Sequence, residues 1–92
     1  MCGLIFAFTK VGSIDLLALT KALQTINHRG PDSSTVEFSV TSTGTYFFGF
    51  NRLAVMDTTH VSDQPFRYRD VIAMCNGEIY NHLDMRRDIA AD

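Results

Sequence analysis

The apolar run "GLIFAFT" at residues 3–9 is the feature that most constrains the fold. A short continuous apolar run bounded by turn residues is typical of a strand that is buried on both faces. Such a strand needs further layers of structure around it. The segment "KVGS" at 10–13 is predicted to be a turn, so we expect residues 3–9 to form an interior strand of a layered protein.

An amphipathic helix is predicted over residues 15–28. The apolar residues that recur there at helical spacing are Leu16, Leu17, Leu19, Ala22, Leu23 and Ile26. Ser13 is the expected N-cap, and Asp15 is expected in the first turn, where a negative charge suits the helix dipole. The segment "NHRGPD" at 27–32 ends the helix, because Gly30 can take a positive φ and the following proline cannot continue a helix.

The middle of the chain predicts a β-hairpin. "STVEFSV" at 34–40 alternates as a strand should, "TSTG" at 41–44 turns, and "TYFFGF" at 45–50 runs back. Beyond it we predict a short strand at 52–57, a loop at 58–66, a buried strand at 71–75 and the start of a helix at 83–91. The order of strand, helix, antiparallel strands and helix indicates an α+β fold.

Composition excludes several classes of function. A chain of 92 residues is at most one domain, and its net charge of −2 gives no basic field for nucleic acid or a membrane surface. We also predict no membrane span, because the apolar runs are too short, and no signal peptide. His28, His60 and His82 are scattered without zinc-site spacing, so no metal site is predicted. The two cysteines fit a reducing cytosol, which predicts a cytoplasmic protein.

Cys2 is a candidate nucleophile. Removal of Met1 would place a thiol beside a free α-amino group, whose ordinary pKa of about 7.7–8.0 suits a base near neutral pH. This is the chemistry of N-terminal nucleophile enzymes. On this residue alone, an ordinary terminal cysteine is the more common interpretation.

Two further segments carry candidate chemistry. The Asn76 side-chain amide and the Gly77 backbone N–H could form an oxyanion hole, although a plain Asn-Gly turn between strands is the alternative. Arg52 could hold a carboxylate through two parallel hydrogen bonds, and a solvated edge charge is the alternative there. Cys75 is predicted to be a core thiol.

Five motifs together resemble one known family. "MCG" at the start, "HRGPD" at 28–32, "RLAVMD" at 52–57, "QPF" at 64–66 and "NGEIYNH" at 76–82 occur in its order and at similar spacing. The chain resembles the class II, N-terminal nucleophile, glutamine amidotransferase domain of the asparagine synthetase family. The resemblance implies the N-terminal portion of an α/β/β/α sandwich, with a mostly antiparallel sheet and one flanking amphipathic helix.

The resemblance also implies roles for individual residues. Cys2 would attack the side-chain amide of L-glutamine, Arg52 would bind the α-carboxylate, and Glu78 would face the α-amino end. Asn76 and Gly77 would supply the oxyanion hole. The residues expected to line the substrate through their backbone are Leu53, Ala54, Val55 and Met56.

Departures from the family pattern suggest that residues 1–92 are a single, incomplete amidotransferase domain. No "SDxE"-type aspartate motif follows "NGEIYNH", Phe50 stands where a histidine is frequent, and Ser33 and Ser34 stand where glycine is frequent. The resemblance implies that ATP and Mg²⁺ belong only to a synthetase domain that this chain lacks. Expected partners besides glutamine are a synthetase domain or subunit, or a second copy of the chain. The alternative function is a truncated, non-catalytic remnant or partner-binding fragment.

Overall fold

The computed structural model describes residues 2–10, 12–55 and 59–91 and has the α+β architecture that the sequence predicts. Its strands and helices, in chain order, are β1 (Gly3–Thr9), α1 (Leu16–Thr25), β2 (Ser33–Thr41), β3 (Gly44–Arg52), β4 (Phe66–Tyr68), β5 (Val71–Ala73) and α2 (His82–Ala90). Single 3₁₀ turns occupy Asn27–Arg29 and His60–Ser62.

β3 lies at the centre of a three-stranded antiparallel sheet with the order β1-β3-β2. The predicted hairpin is confirmed as β2 and β3, which pair from Ser33 opposite Arg52 to Thr41 opposite Gly44. β1 pairs with the other edge of β3, with Gly3 opposite Asn51. This arrangement brings the start of the chain and the end of β3 together.

Helix α1 covers one face of this sheet, where two glycines allow it to approach closely. A Cβ built on Gly49 would lie within 3.2 Å of both Leu23 methyl carbons, and one on Gly3 would lie 3.0 Å from Ile26 Cδ1. Leu23 and Phe47 are buried on this face, at 2% and 0% exposure. The predicted flanking amphipathic helix is therefore confirmed.

The β4–β5 hairpin lies against the opposite face of the sheet. Arg67 of β4 forms an ion pair with Glu37 of β2. A cavity of about 500 Å³ is lined by Phe6 and Phe48 from the first sheet and by Ile72 from the hairpin. Helix, sheet and hairpin thus form successive α, β and β layers, consistent with part of the expected sandwich.

Helix α1 begins later than the sequence predicts. Asp15, not Ser13, is the N-cap, and its Oδ1 accepts the Ala18 N–H at 3.0 Å. The helix ends at Thr25 and passes directly into the 3₁₀ turn. Because the helix starts at Leu16, the residue before it is Asp15, and its side chain reaches an amide of the first turn that has no partner within the helix.

The strand predicted at 52–57 is wrong at residues 53–55. Arg52 is the last residue of β3, and Leu53–Val55 have no regular structure. Their backbone amides have other partners: Leu53 N–H donates to Cys2 Sγ, and Ala54 N–H donates to Asp32 Oδ2 at 2.7 Å. Residues 56 and 57 lie outside the described part of the chain.

Burial is lower than the apolar runs predict. Leu4, Phe6 and Phe8 of β1 are 38–53% exposed, so β1 is not buried on both faces, and Val71 of the supposedly buried β5 is 60% exposed. The reason is that each strand of the β4–β5 hairpin has only three residues and covers only part of the larger sheet. Within residues 2–10, 12–55 and 59–91, no helix has the length and apolarity needed to cross a membrane.

Candidate active site

A cleft of about 460 Å³ lies where β3 ends and where the chain leaves β5. Gly3 pairs with Asn51, so strand alternation places the flanking residues Cys2 and Arg52 on the same face of the sheet. The residues that line the cleft include Cys2, which precedes β1, and Arg52 at the end of β3. They also include Leu53 and Val55 after β3, and Asn76, Gly77 and Glu78 after β5.

The Cys2 side chain is held beside the backbone of Leu53. Leu53 N–H donates to Cys2 Sγ at 3.4 Å, and the sulfur lies 4.0 Å from the Leu53 carbonyl oxygen. Arg29 Nε donates to the Cys2 carbonyl at 3.0 Å and so holds the backbone just before β1. Together these contacts fix the position of the Cys2 side chain at the cleft.

Arg52 is only 7% exposed, so the interpretation as a solvated edge charge is wrong. Its Nη1 donates to Asp63 Oδ1 at 2.9 Å and also to the Thr59 carbonyl. A planar guanidinium with two partners on one nitrogen has a defined orientation, which prepares an arginine for geometric recognition of a carboxylate.

Asp63 is the centre of a small polar cluster behind Arg52. His60 Nδ1 lies 2.9 Å from Asp63 Oδ2, and Ser33 Oγ donates to Oδ1 at 3.0 Å. Hydrogen bonds from His60, Arg52 and Ser33 lower the pKa of Asp63 from 3.8 to about 2, against the opposing effect of burial. Asp63 is therefore ionised at neutral pH.

The segment with Asn76 and Gly77 is fixed through Cys75. Gln64 Nε2 donates to the Cys75 carbonyl at 3.0 Å, and Cys75 N–H donates to Gln64 Oε1 at 2.6 Å. Cys75 is exposed, so its prediction as a core thiol is wrong. The simple hairpin-turn interpretation of Asn76–Gly77 is wrong as well, because the next element after β5 is helix α2.

Three other residues named in the sequence interpretation are not among the residues that line the cleft: Ala54, Phe50 and Ser34. The Ala54 amide is bound to Asp32. Met56 lies outside the described residues. Phe50 is 1% exposed and belongs to the core, and Ser34 Oγ donates to Asn51 Oδ1 at 2.8 Å.

Four residues with contacts in or near the cleft had no role in the sequence interpretation. Arg29 and Asp32 belong to "HRGPD" and Gln64 belongs to "QPF", so the motifs marked them without indicating what they contact. Asp63 carried no signal in the sequence. Across the part of the chain that the structure describes, no group of three or more His, Cys, Asp or Glu side chains is arranged to hold a metal ion.

The whole chain is similar to known glutamine amidotransferase sequences. Residues 1–92 match the family described as "Glutamine amidotransferase domain". The chain is 40% identical over 88 residues to a probable glutamine-hydrolyzing asparagine synthetase of Acanthamoeba polyphaga mimivirus, covering 92% of this chain and 16% of that protein.

Two bacterial proteins are similar to nearly the whole chain. A putative glutamine-hydrolyzing asparagine synthetase of Mycobacterium tuberculosis is 36% identical, covering 97% of this chain and 16% of that protein. Glutamine-hydrolyzing asparagine synthetase 1 of Bacillus subtilis is 37% identical, covering 99% and 15%. The chain therefore spans about one sixth of the length of these relatives. A search of the solved structures found no significant match.

Proposed function

The chain belongs to the glutamine amidotransferase domain family, and from this premise we propose that its cleft is a glutaminase site that hydrolyses L-glutamine to glutamate and ammonia. The observation that supports this most strongly is the meeting of Cys2, Arg52 and the Asn76–Gly77 segment in one cleft. These residues come from three distant parts of the chain, and each has the chemistry that one part of the reaction needs.

Substrate binding uses the two charged residues of the cleft. Arg52 pairs with the α-carboxylate of glutamine, and Glu78 faces the α-ammonium group. The backbone of Leu53 and Val55 lies along the substrate between these ends. Glutamine bound in this way presents its side-chain amide to Cys2.

The next step transfers the γ-glutamyl group of the substrate to the thiol of Cys2. After removal of Met1, the α-amino group of Cys2 takes the thiol proton, and Sγ attacks the side-chain carbonyl carbon. The Asn76 side-chain amide and Gly77 N–H stabilise the developing oxyanion. The C–N bond breaks as the α-ammonium returns its proton to the leaving nitrogen, which releases ammonia and leaves a γ-glutamyl thioester. Water then cleaves the thioester to give glutamate and the free thiol.

The destination of the ammonia is proposed from the relatives. Their names describe glutamine-hydrolyzing asparagine synthetases, and this chain spans about one sixth of their length. We propose that the ammonia serves asparagine synthesis in a partner synthetase domain or subunit, and that ATP and Mg²⁺ act there. The free thiols Cys2 and Cys75 support a cytoplasmic location.

A second candidate function is partner binding without catalysis. It is favoured by the exposed apolar side chains of β1, where Phe6 is 53% and Phe8 is 42% exposed. Such surface is typical of an interface. This role predicts self-association or binding of a partner chain through that sheet face.

The test of the glutaminase site is an intact-mass measurement after incubation with a glutamine-mimicking diazo-ketone. We expect the wild-type chain to lack Met1 and to gain one adduct. Cys2→Ala should gain none, and the matched control Cys75→Ala, which removes the other free thiol, should still be labelled. Retention of Met1, or labelling that survives Cys2→Ala, would overturn the proposed chemistry.

A further inference from the structure

We propose that Asp63 and Gln64 form a two-residue clasp that positions the two halves of the cleft: Asp63 orients Arg52, and Gln64 holds the Asn76–Gly77 segment. The effect of this clasp on catalysis rests on the proposed glutaminase function. The geometry of the clasp does not depend on that function, because it consists of four side-chain hydrogen bonds made by two adjacent residues.

The Asp63 half acts on the carboxylate-binding end. Its Oδ1 accepts from Arg52 Nη1 at 2.9 Å and from Ser33 Oγ at 3.0 Å. Ser33 and Arg52 are directly opposed on β2 and β3, so one carboxylate oxygen bridges a pair of neighbouring strands. The Asp63 side chain is 19% exposed and the Arg52 side chain 9%, which reduces screening of their attraction by water. The guanidinium is thereby held in one plane at the end of the sheet.

The Gln64 half acts on the oxyanion-hole end. Its side-chain amide satisfies both the N–H and the C=O of Cys75, the pattern by which a neighbouring strand would fix a residue. The hydrogen bonds between β4 and β5 end at Ala73, and those from Gln64 hold the chain two residues further on. Asn76 follows Cys75 directly, and fixing the Cys75 peptide groups limits where the Asn76–Gly77 donors can point.

The adjacency of Asp63 and Gln64 links the two halves. Asp63 has an extended backbone (φ −66°, ψ 138°), which directs neighbouring side chains to different sides of the chain. One side chain therefore reaches β3 and the next reaches the exit of β5. Consecutive Cα atoms are about 3.8 Å apart, so a single peptide unit sets the spacing between the two anchor points.

The first test separates binding from chemistry by measuring the rate of Cys2 labelling against diazo-ketone concentration. Asp63→Asn should raise the half-saturating concentration about tenfold and change the maximal rate less than about twofold, because it weakens an ionic hydrogen bond to the carboxylate-binding residue. Gln64→Met should do the reverse, lowering the maximal rate about tenfold or more, because oxyanion donors lose their placement.

A second Gln64 variant guards against a simple loss of folding. Gln64→Glu keeps an acceptor for the Cys75 N–H but removes the donor to the Cys75 carbonyl, so its maximal labelling rate should lie between those of wild type and Gln64→Met. Thermal unfolding of each variant is measured in parallel. If both Asp63 and Gln64 variants change the same kinetic constant, or if neither changes any, the clasp is overturned.

A structural measurement distinguishes failure of the clasp from failure of the proposed function. Amide hydrogen exchange by NMR should show Cys75 N–H protected in wild type and in Asp63→Asn, but exchanging at least about tenfold faster in Gln64→Met. Unchanged Cys75 exchange in Gln64→Met overturns the clasp whatever the labelling shows. Absence of labelling in the wild type, with the expected exchange pattern, instead overturns the glutaminase function and retains the clasp as architecture.

Discussion

The Leu53 amide donates to Cys2 Sγ at 3.4 Å, although 51 positions separate the two residues in the chain. The contact exists because Gly3 pairs with Asn51 and carries the chain start alongside the end of β3. A slip of one residue in this register would turn Cys2 to the opposite face of the sheet, away from Arg52. The pairing of β1 with β3 is therefore as much a part of the candidate site as the side chains.

Replacement of Arg52 by lysine should impair binding more than folding. Arg52→Lys keeps a positive charge near Asp63 but loses the planar fork that binds a carboxylate in two places. We expect the half-saturating concentration of the diazo-ketone to rise about tenfold or more. Arg86→Lys on the exposed helix α2 is the matched control and should label like wild type. Equal half-saturation in Arg52→Lys and wild type would argue against Arg52 as the carboxylate-binding residue.

Two glycine-to-alanine variants should separate folding from site chemistry. A Cβ on Gly30 would lie 2.3 Å from the Asn51 carbonyl oxygen, so Gly30→Ala should lower the free energy of unfolding by about 1–3 kcal/mol. Among the described residues, a Cβ on Gly77 would meet only Cys75 Sγ, at 3.8 Å, so Gly77→Ala should stay within about 0.5 kcal/mol of wild type. Urea unfolding measures both.

Gly77→Ala should nevertheless label more slowly, because the added methyl group lies beside the proposed oxyanion donors. A large loss of stability in Gly77→Ala, or none in Gly30→Ala, would contradict the assignment of Gly30 to packing and Gly77 to the site.

Acid should remove part of the stability through Asp63. The pKa of this carboxyl is about 2 in the fold, below its ordinary value of 3.8, so ionisation favours the folded state. This contribution is fully present above about pH 4 and is lost as the pH falls through about 2. The advantage of wild type over Asp63→Asn in free energy of unfolding should therefore shrink across that window, as measured by urea unfolding at several pH values.

Ser33→Ala removes only one of the donors to Asp63 and should give an intermediate pH dependence. If the stability difference between wild type and Asp63→Asn stays constant from pH 5 to pH 2, the hydrogen bonds to Asp63 do not contribute in solution.

The exposed aromatic face of β1 should promote association. Phe6 is 53% exposed and packs beside Phe48, with ring centroids 5.3 Å apart. Phe6→Lys should shift the chain toward a monomer in light scattering coupled to size exclusion, because the lysine charge opposes burial in an apolar contact. Leu17→Lys, on the outer side of α1 and 65% exposed, is the matched control. A wild-type chain that is monomeric at high concentration would remove the case for a partner-binding role through this face.

Sequence periodicity predicts the helices and strands whose formation depends mainly on local residues. Helix α1 and the β2–β3 hairpin follow from local spacing and turn residues, and their observed bounds agree with the predicted ones within a few residues. The end of β3 was not predictable, because "RLAVMD" is apolar enough for a strand and stops pairing only where Cys2 and Asp32 bind its amides. The apolar run of β1 overstates its burial, because the run contains no information about how much of the second face of the strand is covered.

The candidate site also combines residues that the sequence indicates with residues whose role depends on distant contacts. Cys2, Arg52, Asn76 and Gly77 have distinctive chemistry at positions marked by motifs, and the structure brings them to one cleft. Asp63 and Gln64 are ordinary polar residues of a loop, and their importance depends on partners 11 residues away in either direction. Sequence periodicity cannot predict such contacts between separate segments.

The central position of β3 also sets an order of assembly. Its pairing with β2 is local and crosses a short turn, whereas its pairing with β1 joins residue 3 to residue 51 and closes a much longer loop. During synthesis, β1 cannot complete its pairing until β3 has been made through Arg52. Until then, Cys2 also lacks its contact with the Leu53 backbone, so the thiol is exposed during this interval.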